Sequence, residues 1–375
     1  MVGAALAASQ PALAEYAYNL QAPASQVAQD VFDLHNLIML VCLGIFVVVF
    51  GAMFYSLLKH RKSLGHKAAN FHENTTVEII WTVIPFVILV GMAYPAAKVV
   101  IDMKDTANPD MTIKITGFQW KWSYDYLNDG ISFYSTLSTP REQIVGSADK
   151  GEHYLLAVDE PMVVPVGKRV RLLITANDVI HSWWVPAFGV KQDGIPGFIR
   201  DSWLKADKIG TYRGQCAELC GKDHGFMPIV VEVVSEEDYK AWVEKKKGGA
   251  EAAMADNAKS FAIADLVARG EKVYQAHCAA CHQADGMGLP GVFPAISGSK
   301  VATGPIAEHI NVVLNGRPGT AMAAFAGQLS DADIAAVVTY QRNAWGNKVG
   351  DLAQPAEIAA ARGGAASEAG APAAQ

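Results

Sequence analysis

The sequence predicts a multidomain membrane protein: a two-helix transmembrane hairpin, then a Greek-key β-sandwich, then a small all-α domain. Three observations carry this reading. Residues 34–58 and 79–97 are apolar runs without a formal charge, and about 20 such residues cross the hydrocarbon of a bilayer as a helix. From residue 112 the texture changes to short β-rich runs separated by turn residues. Beyond residue 262 apolar side chains return at helical spacing, first Leu266, Val273 and Tyr274, later Ile334, Val337 and Val338. The 375 residues suffice for two or three domains, and 51% hydrophobic against 18% charged residues leans towards the membrane. A net charge of −6 without a basic face argues against a nucleic-acid partner.

Taken in order, residues 1–14 end in Ala12-Leu13-Ala14 and read as a signal-peptide remnant, although a basic n-region is missing and a plain flexible tail would look similar. Residues 30–98 form the hairpin. Lys59, His60, Arg61, Lys62 and Lys67 concentrate positive charge in its short loop. The loop is therefore expected in the cytoplasm, with both termini and the bulk of the chain outside. Cys42 reads as a packing residue within the first helix. Glu78 stands at the cytoplasmic start of the second helix, where an ionisable group can simply snorkel to water. Pro85 inside that helix requires its freed carbonyl to be compensated.

Residues 106–245 are expected to form the sandwich. Strands are predicted at 112–117, 119–126, 154–158, 169–175, 210–215 and 228–234. Ser235-Glu236-Glu237-Asp238 then opens a helix to about Lys245. Within this domain lies Cys216-x3-Cys220-x3-His224-x2-Met227, with His181 available upstream. Thiolate and imidazole suit copper or zinc, and a weakly bound Met is a habit of copper electron-transfer sites. Two Cys, two His and one Met suit two copper ions bridged by both sulfurs. A disulfide or a zinc site would need neither Met227 nor His181.

Residues 246–260, charged and small, read as a flexible linker. Residues 261–347 form the all-α domain. Cys278-Ala279-Ala280-Cys281-His282 has the spacing for covalent haem c, two thioethers and one axial imidazole. Ser330-Asp331-Ala332-Asp333 caps a later helix, and Gly270 permits that helix to approach near Tyr340. His277 and His309 are expected to face solvent. Residues 348–375 lack periodicity and read as a disordered tail.

The copper-type motif, with His181 in Val179-Ile180-His181-Ser182-Trp183, closely resembles the binuclear copper (CuA) centre of cytochrome c oxidase subunit II. The C-terminal part resembles a class I cytochrome c. The resemblance implies a cupredoxin-like sandwich in which His181, Cys216, Glu218 (through its backbone carbonyl), Cys220, His224 and Met227 bind copper. It implies that the Glu218 carboxylate reaches a Mg²⁺ at the interface with the catalytic subunit. It makes Trp120 the point of electron entry, Glu78 the entrance of a proton channel, and Asp178 with Asp193 an acidic docking patch for basic cytochrome c. Lys121 departs from the family's usual Tyr. In the haem domain the resemblance implies Met322 as the second axial ligand, with Met287 as rival, and Pro294 as the carbonyl that orients His282.

The family further implies an electron-entry subunit of a proton-translocating oxidase in a bacterial cytoplasmic membrane. Its partners are subunit I, subunit III, the lipid bilayer, and a cytochrome c or cytochrome bc complex as donor. Oxygen chemistry belongs to subunit I. The alternative is a membrane-anchored copper and haem electron carrier uncoupled from oxygen. A quinol-oxidase subunit would lack the copper ligands, and a nitrous-oxide-reductase-like protein would carry a large propeller before its copper domain.

Overall fold

The computed structural model describes residues 19–368 except residues 68, 69, 71, 292, 318, 319, 321 and 323. The signal-peptide reading of residues 1–14 lies outside these residues. Contacts divide the chain into two units. Residues 19–128, 135–137 and 155–236 make the first, and residues 129–134, 138–154 and 237–368 the second.

In the first unit, α1 (Gln26–Lys59) and α2 (Thr75–Lys104) form the hairpin. Ser25 caps α1, its Oγ accepting from Ala28 N at 3.0 Å, and Asn74 caps α2 by accepting from Val77 N at 3.2 Å. At 1.5 Å per residue the helices run roughly 50 and 45 Å, longer than ~30 Å of hydrocarbon. Their apolar side chains point outward, as a lipid solvent requires. The surplus at the start of α1 is clipped to the sandwich: Ser25 Oγ donates to Phe188 O at 2.8 Å, and Val27 and Ala28 are buried.

Ten strands follow: β1 (Met111–Phe118), β2 (Lys121–Tyr126), β3 (Ile131–Ser135), β4 (Met162–Pro165), β5 (Val170–Ala176), β6 (His181–Val185), β7 (Val190–Gly194), β8 (Arg200–Leu204), β9 (Gly210–Cys216) and β10 (Pro228–Val234). Within the first unit one sheet has the order β2-β1-β5-β8 and the other β4-β10-β9-β6-β7. β1 and β5 pair in parallel, as do β4 and β10, and the remaining described pairs are antiparallel. Ile113, Ile115, Leu172 and Ile174 from one sheet and Ile229 and Val231 from the other are fully buried. Each such side chain contributes roughly 1.5–3 kcal/mol. The strand expected at 154–158 does not form; Val158 makes only an isolated bridge to Leu137. β3, β4, β6, β7 and β8 were not anticipated: each has only four or five residues, too few for an alternating pattern to stand out.

The second unit contains α3 (Arg141–Ile144), α4 (Glu236–Asn257), α5 (Ile263–His277), α6 (Ala279–His282), α7 (Lys300–Thr303), α8 (Ile306–Asn315), α9 (Asp331–Asn343) and α10 (Pro355–Glu368), of which α3, α6 and α7 are single turns. α5 and α9 cross where Gly270 lies against Ala336; a Cβ at Gly270 would stand 2.0 Å from Ala336 O. Leu266, Tyr274, Ile334, Val337 and Val338 fill the core.

Three expectations fail here. The linker at 246–260 is not a loop, since α4 continues to Asn257 through Gly248 and Gly249. Glycine costs about 1 kcal/mol in a helix, but both ends of α4 are held. Tyr239 Oη donates to Asp129 at 2.6 Å, Arg269 pairs with Asp256 at 2.9 Å, and Asn257 accepts from Ala332 N at 3.0 Å. The tail expected at 348–375 contains α10, with Ala353 and Ile358 fully buried in the core. His309 does not face solvent: it is 3% exposed and bonds Gln341 at 2.8 Å. His277 is exposed.

Candidate metal centre and haem site

The copper-type ligands converge because of one ladder. β6 and β9 pair with Trp183 opposite Cys216, and Ala217 N continues the ladder to Ser182 O at 3.0 Å. Side chains alternate along a strand, so His181 shares the face of Trp183 and meets Cys216. The turn between β9 and β10 then brings Glu218, Cys220, His224 and Met227 around the same point.

The two Sγ atoms stand 3.9 Å apart. Cys216 Sγ lies 3.9 Å from His181 Nδ1 and 3.4 Å from Glu218 O. Cys220 Sγ lies 3.5 Å from His224 Nδ1 and 3.5 Å from Met227 Sδ. Metal–sulfur and metal–imidazole bonds of about 2.3 and 2.0 Å fit donors spaced this way. Six donors exceed the four of a tetrahedral zinc, and each sulfur has its own imidazole, so the set fits two ions sharing both sulfurs. Among the described residues, His181, Cys216 and Cys220 are the buried group of three metal-type ligands. Both thiols are free.

The surroundings treat the two thiols differently. Burial opposes ionisation of Cys216, but the His181 ring and the backbone at Glu218 and Ser182 bring its thiol below the ordinary range. Burial, then the neighbouring Cys216, pushes Cys220 up to about 12. The metal-free pair thus holds a proton that a cation must displace. Asp178 Oδ1 bonds His181 Nε2 at 2.8 Å, leaving Nδ1 turned to Cys216. Burial works against the Asp178 charge, yet the His181 ring and the Gln119 and Val179 amides hold its carboxyl below the usual range. Burial likewise opposes a charged His181, and Asp178 with Cys216 outweighs it, raising the imidazole.

The sequence missed three neighbours. A Cβ at Gly117 would stand 2.8 Å from the His181 ring. Gln119 donates through Nε2 to Cys220 O at 2.9 Å and through its amide to Asp178 Oδ2 at 2.7 Å. Trp122 donates to Met227 O at 3.3 Å. Nothing local signals contacts spanning about a hundred residues; only the aromatic run around them marks the place.

Of the other predicted residues, Trp120 is half-buried and donates through Nε1 to the same Cys220 O at 3.2 Å. Asp193 lies on β7 opposite Ser182. Lys121 is buried, and burial lowers its ammonium to about 8 against the opposing pull of Asp178. Glu218 is exposed, and among the described residues its carboxylate joins no group of three metal-type ligands. Glu78 stands in the first turn of α2, where Oε1 accepts from Asn74 N at 3.3 Å.

In the second unit, Cys278 and Cys281 sit half-buried where α5 meets α6. Burial first, then Cys281, pushes the Cys278 thiol up to about 12. His282 Nδ1 bonds Pro294 O at 2.9 Å, so Nε2 is the ring nitrogen that could hold a metal. Beside Pro294 opens an apolar cavity of about 450 Å³, lined by Met287, Pro290, Gly291, Phe293, Pro294 and Ala295. Apolar walls beside an oriented imidazole and two thiols fit a covalent haem. Met322 lies half-buried between α8 and α9; its carbonyl accepts from Arg317 N at 3.0 Å. Met287 is exposed.

Comparison with known proteins agrees with each region. The family described as cytochrome c oxidase subunit II, periplasmic domain, matches residues 111–234. Its transmembrane domain matches residues 14–99. The family described as cytochrome c oxidase, cbb3-type, subunit III, matches residues 265–340. Cytochrome c oxidase subunit 2 of Cereibacter sphaeroides is 39% identical over 242 residues, 61% of this chain and 80% of that protein. The protein of the same name from Phytophthora megasperma is 36% identical over 228 residues, 60% of this chain and 85% of that one. The crystal structure of the periplasmic domain of subunit II of cytochrome oxidase from Bradyrhizobium japonicum is 46% identical with a TM-score of 0.35. It covers 38% of this chain and 98% of that chain. Hairpin, sandwich, convergent sulfur and imidazole ligands and an appended haem-type domain together make this chain a member of the cytochrome c oxidase subunit II family, extended by a C-terminal cytochrome c domain.

Proposed function

We propose that this chain is the electron-entry subunit of a bacterial haem–copper oxidase, set in the cytoplasmic membrane with both metal domains on the periplasmic side. Its electrons would come from a cytochrome c or cytochrome bc complex and go to subunit I, which reduces oxygen to water with proton pumping; subunit III completes the assembly. When bound, haem c and the copper pair supply two one-electron stores in series. The observation that carries this reading is the pair of thiols 3.9 Å apart, each with its own imidazole.

The chain's own residues prepare these places. Asp178 fixes the His181 ring, Gln119 ties Asp178 to the Cys220 carbonyl, and the buried ladder limits rearrangement on a change of charge. Trp120, bonded to the backbone of Cys220, offers an aromatic surface through which an electron reaches that ligand. Pro294 sets the His282 ring, and Met322 would be the second side chain to hold the haem iron. Asp193 and the outer edge of Asp178 would meet a basic donor. Glu78 would pass protons inward from the cytoplasmic end of α2, and the exposed Glu218 carboxylate would meet Mg²⁺ at subunit I.

Metal analysis of the membrane-purified chain tests the reading. Two copper per covalently bound haem c in this chain, separated from any copurifying subunit, with a near-infrared mixed-valence band, are expected; one copper, or zinc, would overturn it. A large haem-bearing subunit should copurify, and its absence would leave an electron carrier uncoupled from oxygen.

A further inference from the structure

We propose that Arg362, on the C-terminal helix, is a positioning residue for the axial methionine: it pins the root of the loop that carries Met322. This rests on the assignment of Met322 as iron ligand. The guanidinium serves three acceptors at once. Nε pairs with Asp331 at the start of α9, Nη1 donates to Ala326 O, and Nη2 donates to Leu329 O at 2.7 Å.

Ala326 and Leu329 frame the turn that follows the methionine. Its amides are already committed: Phe325 N to Val313 O at 3.1 Å, Ala326 N to Leu314 O at 3.0 Å, and Leu329 N to Phe325 O at 3.1 Å. Two of its carbonyls are held by the arginine. Among the described residues, the bonds at Met322 stay within its own loop: Arg317 N donates to Met322 O, and Met322 N to Thr320 Oγ1 at 3.2 Å. The turn at 325–329 is therefore the fixed point from which the sulfur is aimed.

The helix that carries the arginine is itself anchored, because Ile358 and Ala353 are fully buried among α8 and α9 side chains. A planar fork with several donors can meet a carboxylate and two carbonyls together, which an ammonium cannot. A thioether is a weak ligand, so small displacements of its loop tell on the iron bond more than on the fold.

The test is alkaline titration of the full, haem-loaded chain. The reading is the far-red charge-transfer absorption of ferric haem, taken as the part that Met322→Ala abolishes. If Met322→Ala leaves that absorption unchanged, the ligand assignment itself fails. With the assignment intact, Arg362→Gln should retain covalent haem and helix content while the pH of methionine release falls by about one unit or more. Arg362→Lys should fold at least as well, keeping the pairing to Asp331, and still release methionine early. Leu266→Ala, which opens the core on α5, should lower the unfolding temperature without moving methionine release. Release at the native pH in both Arg362 variants would overturn the proposal and leave the arginine a mere strut.

Discussion

The copper loop and the haem site solve the same problem, presenting soft ligands to a metal, in opposite ways. In the sandwich, His181 and Cys216 are neighbours on paired strands, and the remaining donors arrive within eleven residues. The ligand atoms stand 3.4–3.9 Å apart. In the helical unit the described orienting bond is that of His282 to Pro294. Met322, which we propose as the second ligand, lies in a loop forty positions away in sequence. Sheets fix side chains by register, whereas short helices and long loops need a cofactor and distant anchors. An electron-transfer site with little reorganisation is therefore best built on the former.

The largest effect should follow from breaking the preassembled site. Cys216→Ser removes one of the two sulfurs that the proposed pair of ions would share. The near-infrared band should vanish and copper content fall at least by half, while the haem c spectrum stays intact. A retained band would mean that the two sulfurs do not share the ions.

The second test concerns the helical unit. His309 is buried against Gln341 and near Arg342, and burial holds its imidazole down to about 4. An unfolded imidazole protonates near 6.5, so the unfolded chain takes up the proton first as pH falls. Stability present above about pH 6.5 is lost between there and about 4, of the order of 3 kcal/mol in all. Arg342, buried and bonded to the half-exposed Asp351 and to the Ala302 and Gly304 carbonyls, makes a charged imidazole still less welcome. His309→Gln should flatten the acid limb of the unfolding temperature read at the haem. An unchanged limb would place the titrating group elsewhere.

The sequence shows most where chemistry and local pattern coincide. Cys216, Cys220, His224 and Met227 are spaced so tightly that their convergence can be read directly, and so can Cys278, Cys281 and His282. The hairpin is legible because lipid permits no charge, and the crossing at Gly270 because a missing side chain implies contact. What stayed hidden depends on tertiary support. α4 survives Gly248 and Gly249 only because Asp129, Arg269 and Ala332 hold its ends. α10 looks like low-complexity tail, but Ile358 and Arg362 find partners in a core that no local pattern reveals. Asp178 reads as a surface acid, while its carboxylate bonds a buried ring.

That last residue gives the third test, a graded one on the copper site. Asp178→Asn keeps the shape but removes the charge that orients His181. Copper affinity should drop about 10–100-fold, roughly 1.4–2.7 kcal/mol, with the band still present at saturating copper. Undiminished affinity would show that the sheet alone fixes the ring, and would sharpen the contrast with the haem site further.

The smallest effect separates support of a helix from support of a ligand. Ser330 caps α9: its Oγ accepts from Asp333 N at 3.1 Å and donates to Asp333 Oδ2 at 2.6 Å. Ser330→Ala should cost about 1 kcal/mol, read as a lower unfolding temperature of the haem domain. The loss stays modest because Asp333 keeps its bond to Arg269 Nε at 2.8 Å. Ser330 and Arg362 both act on the first turn of α9, yet only the arginine also holds Ala326 and Leu329. Methionine release should therefore keep its native pH in Ser330→Ala. If it shifts as far as in Arg362→Gln, the stability of α9, and not the carbonyl grip of the arginine, governs the loop.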